Sequence, residues 1–72
     1  MDARQRMLSA LLAAFQDESW PVRDVASTAL GHFVEAFPEH CEPLRGELWE
    51  AQHVIHLQHS YEPIFASLLL YL

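Results

Sequence analysis

Three histidines, His53, His56 and His59, recur at every third position, with Glu50 one step earlier. Imidazole is a common zinc ligand, so the spacing raises metal binding as a chemistry to weigh. On a helix each three-residue step turns by about −60°, which spreads the three rings over about 120° of arc. Two neighbouring rings can share an ion, but a closed site takes three or four converging ligands, and one helix cannot aim all three at one point. The Glu50–His53 spacing suits a di-metal site only where a facing helix brings further carboxylates. The plainer reading is a polar, exposed helix face, with a small helical zinc-binding module on His53, His56 and His59 as the alternative function.

Cys41 beside His40 invites a nucleophile-and-base reading. Adjacent residues seldom reach each other in a productive geometry, and no third group orients the imidazole, so an ordinary loop thiol is expected. The chain has no Gly-x-Ser-x-Gly elbow, phosphate loop, dinucleotide fingerprint or paired-cysteine motif. Ser9, Ser19, Ser27, Ser60 and Ser67 fall at cap or helix-surface positions. The chain is therefore expected not to be an enzyme and to need no cofactor. Trp20 and Trp49 are of the residue type that concentrates binding energy at protein contacts. Trp20, just before Pro21, reads as a turn residue packed over a helix end, whereas Trp49 lies off the main apolar stripe of its segment and suits an interface equally well.

Four helical segments must position these residues, divided by three proline-containing breaks at 17–21, 38–43 and 59–63. From Asp2 to Gln16, Met7, Leu8, Leu11, Leu12 and Phe15 follow the 3.6-residue period, with Asp2 as N-cap. From Trp20 to Phe37 the stripe is Val22, Val25, Ala26, Ala29, Leu30, Phe33, Val34 and Phe37. Arg23, Asp24, Ser27, Thr28, His32 and Glu35 are read on the opposite face. Ser19 is the expected N-cap, and Pro38 ends the helix by disfavouring helical geometry at Phe37. The third segment, about Pro43 to Gln58, carries Leu44, Leu48, Ala51 and Ile55 on one stripe, with Trp49, Val54 and Leu57 off it, as in a helix between two neighbours. Gly46 weakens its start by up to about 1 kcal/mol relative to alanine. The last places Tyr61, Ile64, Phe65, Leu68, Leu69 and Leu72 at helical spacing, then adds Leu70 and Tyr71. With neither a polar cap nor a glycine stop, it reads as a helix that would continue in a longer protein, the alternative being a short docked plug.

The chain has 72 residues, enough for one small domain. At 51% hydrophobic and 19% charged it is too apolar for a disordered tail and more apolar than so small a globule can hide. Some of that surface is expected to meet a neighbour. Ten acidic residues against four arginines and no lysine give a net charge of −6, which argues against nucleic acid and anionic membrane surfaces as partners. A lone cysteine forms no internal disulfide, consistent with a cytoplasmic or nuclear setting. Asp2, Arg4, Gln5 and Arg6 interrupt any signal-peptide core. The nine-residue apolar tail from Ile64 to Leu72 is about half a membrane span, so the chain reads as soluble.

A shift of 42 residues lays the fourth segment over the second: Phe15 falls on Leu57, Gln16 on Gln58, Pro21 on Pro63, Val22 on Ile64 and Leu30 on Leu72. That period is the length of a two-helix solenoid repeat. The run from Leu11 to Arg23, then Ala26 and Ala29-Leu30-Gly31, resembles a HEAT repeat: a leucine-rich first helix, a turn with Asp17 and Trp20, Val22-Arg23 opening the second helix, and Ala-Leu-Gly near its middle. The resemblance implies an all-α fold of about four helices, two antiparallel helical hairpins stacked as a short HEAT-like α-solenoid. It would form one domain over 1–72, with one repeat at about 2–37 and a degenerate one at about 43–72. It implies that Asp17 bonds backbone amides at the turn and that Arg23 reaches an equivalent aspartate in an adjacent repeat. Val22, Ala26, Ala29 and Leu30 would pack inside the hairpin, with Gly31 and the alanines letting helices approach closely. In the second repeat His59 stands at the Asp17 position and Phe65 at the Arg23 position, which breaks that ladder.

The implied function is non-catalytic protein–protein interaction, as a fragment or terminal part of a larger HEAT-repeat protein. The partner is a protein or an adjacent helical repeat, and a homo-oligomer is a further expectation. Candidate interface residues are Trp49, Phe65, Leu69 and Tyr71.

Overall fold

The computed structural model describes residues 2–59 and 65–71, the side chains of Ala66, Ser67 and Tyr71 excepted. Tyr61, Ile64 and Leu72 of the expected fourth stripe lie outside the described residues, as does the Tyr71 side chain. Among the described residues the chain is all-helical.

The first helix, α1, runs Ala3–Phe15. Asp2 holds an extended backbone (φ −62°, ψ 142°), and its Oδ1 accepts from the Arg4 amide at 3.1 Å, satisfying one of the free N–H groups of the first turn. The α2 helix, Trp20–Ala36, begins with Ser19 extended in the N-cap position and Pro21 in the first turn, where a missing N–H costs nothing. The Ser19 hydroxyl makes no capping bond, so Ser19 caps by backbone conformation alone. At the far end Phe37 leaves helical geometry (φ −130°, ψ 58°), as its position before Pro38 requires. The two helices pack along their lengths and run antiparallel, since the Arg4 guanidinium at the start of α1 lies 5.8 Å from the centre of the Phe37 ring.

The segment after α2 departs from the expected break. Pro38 opens a short helix, α3 (Pro38–Cys41), which passes through a 3₁₀ turn (Glu42–Leu44) into α4 (Arg45–His59). Cys41, Glu42 and Arg45 all keep right-handed helical angles, so the chain stays helical throughout. The interruption falls at Pro43, which has no N–H to continue the α-helical ladder. A final short helix, α5 (Phe65–Leu68), tightens into a 3₁₀ turn, Leu69–Tyr71.

One core joins these elements. Leu8 and Phe15 from α1, Leu30 from α2, Leu48 and Ile55 from α4, and Phe65 from α5 are all at most 2% exposed. Phe15 and Phe65 meet edge to face, with centroids 5.1 Å apart and planes at 78°. The approach of α5 to α2 occurs at Gly31: a Cβ there would stand 3.5 Å from Leu68 Cδ1 and 3.8 Å from Phe65 Cβ. That contact covers a side of α2 read from the sequence as solvated. Arg23 is 4% and Ser27 1% exposed. A polar residue at helical spacing is solvated only where nothing lies over it, and here Leu68 of α5 stands beside Ser27.

The radius of gyration, 11.2 Å, is that of a compact globule of this length, for which about 11 Å is expected. The chain still leaves Met7, Trp20, Val25, Leu57 and Leu70 about half exposed or more. Compactness and unconcealed apolar surface therefore coexist.

Candidate docking surface

The turn between α1 and α2 is built around a buried cation. Arg23 Nη1 donates to the carbonyls of Asp17 and Glu18, each at 2.8 Å. Asp17 Oδ1 accepts from the Ser19 amide at 2.8 Å. Arg23 thus satisfies the carbonyls of its own turn, and its Nε is buried without a partner. Trp20, the first residue of α2, is half exposed.

On the outer side of the hairpin the two helices leave an apolar groove of about 420 Å³, lined by Leu11 and Ala14 of α1 and by Pro21, Val22, Val25, Ala26 and Ala29 at the start and along one side of α2. The floor is made of small side chains, and Val25, 69% exposed, stands at the wall. This corrects the placement of Val22 inside the hairpin: it is 39% exposed and lines the groove, while Ala26 and Leu30 are buried. The apolar stripe of α2, from Val25 round to Val34, spans about 180° of the helix at 100° per residue. One neighbouring helix covers less than that, which is the signal by which the exposed valines were readable.

A second hollow, of about 300 Å³, lies between α4 and the C-terminal turn, lined by Arg45, Gly46, Trp49, Leu69 and Leu70. Trp49 is half exposed there, and Leu70, not singled out from the sequence, is strongly exposed. Phe65 and Leu69 are corrected as interface candidates. They are 0% and 1% exposed because α5 folds inward onto Phe15 and Gly31, so both belong to the core.

The residues that raised chemistry are dispersed or closed. His53, His56 and His59 are all exposed on α4, and the described residues bring no three His, Cys, Asp or Glu together as a metal site. Cys41 is fully buried, and desolvation pushes its thiol above its ordinary pKa, the reverse of what activates a nucleophile. The His40 ring instead meets Phe33 edge-on at 6.0 Å. A further recess, about 480 Å³, sets Gln16 against Glu47, Glu50 and Gln58, and none of its lining residues is a histidine or cysteine. No described helix is long and apolar enough to cross a membrane.

No curated protein and no solved structure matches the chain. The α1–α2 unit, with its clamped turn and apolar outer groove, is the part that fits a known family: residues 7–37 match the HEAT repeat.

Proposed function

We propose that the chain is a non-catalytic protein-interaction module that docks other protein through the outer face of its α1–α2 hairpin. The observation that carries this reading is the groove itself: an uncharged hollow on a rigid helix pair, left bare although the remainder of the chain folds compactly. HEAT repeats are helical units of protein-interaction arrays, and the match over residues 7–37 supports the same role here. The second half of the chain, about residues 43–72, is read as a degenerate repeat stacked on the first. The crossing of α5 over Gly31 supports that stacking. The groove offers shape and apolar area, with no nucleophile or acid–base pair in its lining, which favours binding over catalysis.

Site-specific photo-crosslinking tests the reading. A photoreactive residue at Val25 is expected to capture protein in cells that make the chain, one at Glu35 is not, and Ala29→Glu is expected to abolish the capture. Equal capture from both positions would refute it.

A further inference from the structure

We propose that α5 is an autoinhibitory plug: it fills, in its own molecule, a cleft that takes a basic amphipathic helix from a partner protein. The cleft is separate from the outer groove. Gly31 falls nine residues beyond Val22, two and a half turns, so the two sit on opposite sides of α2.

The plug shows what the cleft recognises. Phe65 and Leu69, four positions apart, are 0% and 1% exposed, and Leu68 is half-buried beside them. Phe65 meets Phe15 edge to face, and Gly31 leaves the room in which Phe65 and Leu68 approach α2. An aromatic residue followed by leucines three and four positions on is the anchor spacing of a helix laid in a groove. Leu70, next along, is strongly exposed.

Three features make the plug exchangeable. First, α5 and its 3₁₀ turn run only from Phe65 to Tyr71, below the roughly 12–15 residues a helix needs to persist alone, so the cleft holds it helical. Second, its seat is imperfect. A hollow of about 120 Å³ remains between Leu68 and α2, and Ser27, which lines it, has its hydroxyl buried with no partner among the described residues. Interiors are close-packed and their polar groups bonded, so both defects are relieved when α5 leaves. Third, the hairpin holds without it, since Arg23 bonds the carbonyls of Asp17 and Glu18 within the α1–α2 unit. Two buried anchors leave roughly one molecule in a hundred to one in ten thousand open.

Charge sets the partner's polar face. Glu35 lines the hollow beside Leu68 and the chain carries a net charge of −6, so a helix with Lys or Arg flanking its anchors is favoured over an acidic one.

Fluorescence anisotropy of the whole chain with a labelled peptide tests the proposal, the peptide carrying the sequence of residues 60–72 behind an arginine tag. Leu69→Ala loosens the plug and leaves α1 and α2 unaltered, so it is expected to bind the peptide about 30-fold or more tighter than the unaltered chain. Adding Gly31→Leu, which fills the cleft, is expected to abolish that gain, and a peptide with Phe65→Ser and Leu69→Ser to bind neither chain. Equal affinity for the unaltered chain and Leu69→Ala, binding to neither, or a gain that survives Gly31→Leu would overturn the proposal. Native-state hydrogen exchange reads the opening in the unaltered chain. The α5 amides are expected to exchange at least about tenfold faster than those of α2, and Ser27→Ala to slow them several-fold relative to α2. Exchange of α5 only together with α2 would show that the plug never leaves by itself, and would overturn the proposal as well.

Discussion

Replacing Arg23 by methionine keeps the aliphatic stem and deletes both bonds to the inter-helix turn. Each bond joins a cationic donor to a backbone carbonyl at 2.8 Å, a class worth about 1.5–3 kcal/mol. Two effects reduce the loss. The guanidinium is 4% exposed with Nε unpartnered, so its burial already carries a desolvation cost that methionine avoids. Asp17 and Glu18 are exposed residues, so their carbonyls regain water. A net loss of about 2 kcal/mol remains, against a total stability of roughly 4–11 kcal/mol for a chain of this length. At about 4–8 °C per kcal/mol, Tm falls by about 8–16 °C. Thermal and urea unfolding followed by far-ultraviolet circular dichroism reads both quantities, with the urea midpoint lowered and the slope unchanged. Arg23→Lys, which keeps the charge without the planar fork, is expected to fall between the two. A methionine variant as stable as the wild type would show that burying the cation costs as much as its bonds return, and the clamp argument would fail.

Further outcomes are expected elsewhere in the chain. Phe65→Ala is expected to cost about 3–5 kcal/mol in monomer stability, because the ring is fully buried against Phe15; unchanged unfolding would return Phe65 to the surface. Gly31→Ala is expected to be neutral or to stabilise by up to about 1 kcal/mol, since a Cβ there meets only ordinary contacts at 3.5 and 3.8 Å. Gly31→Leu is expected to cost about 1–3 kcal/mol by forcing α5 away, so a unimpaired leucine variant would argue against the crossing. Burial raises the Cys41 thiol above its ordinary value of 9.0, so the unfolded chain loses that proton first. The Cys41 contribution to stability is therefore constant below about pH 9 and is lost above it, and Cys41→Ala is expected to remove that part of the decline from urea midpoints measured between pH 7 and 10.

The hairpin was legible because its signals agree: Asp2 and Pro21 mark starts, Pro38 marks a stop, and both apolar stripes hold the helical period. The turn was legible through its resemblance to a repeat, though the resemblance sent Arg23 to a neighbouring repeat and the structure keeps it on its own turn. What periodicity does not reveal is which part of a stripe is covered. Val22 and Val25 share a stripe with Leu30, yet α1 and the core reach only Leu30 fully. Arg23, Ser27 and Gln52 look solvated by type and are buried, Ser27 beside Leu68 of an element distant in sequence. Phe65 and Leu69 were misplaced for the same reason. A short apolar segment looks sticky until the site that receives it, here Phe15 and Gly31, is known.

The bonds of Arg23 span only five and six residues, whereas the Phe15–Phe65 contact closes fifty. Local closures carry the smaller entropic toll, so the hairpin can assemble while the downstream half is still unorganised. During folding the hollow lined by Leu11, Val22 and Val25 can thus be complete before the Phe15–Phe65 contact closes, so its shape depends on the local closure of the hairpin rather than on the distant one.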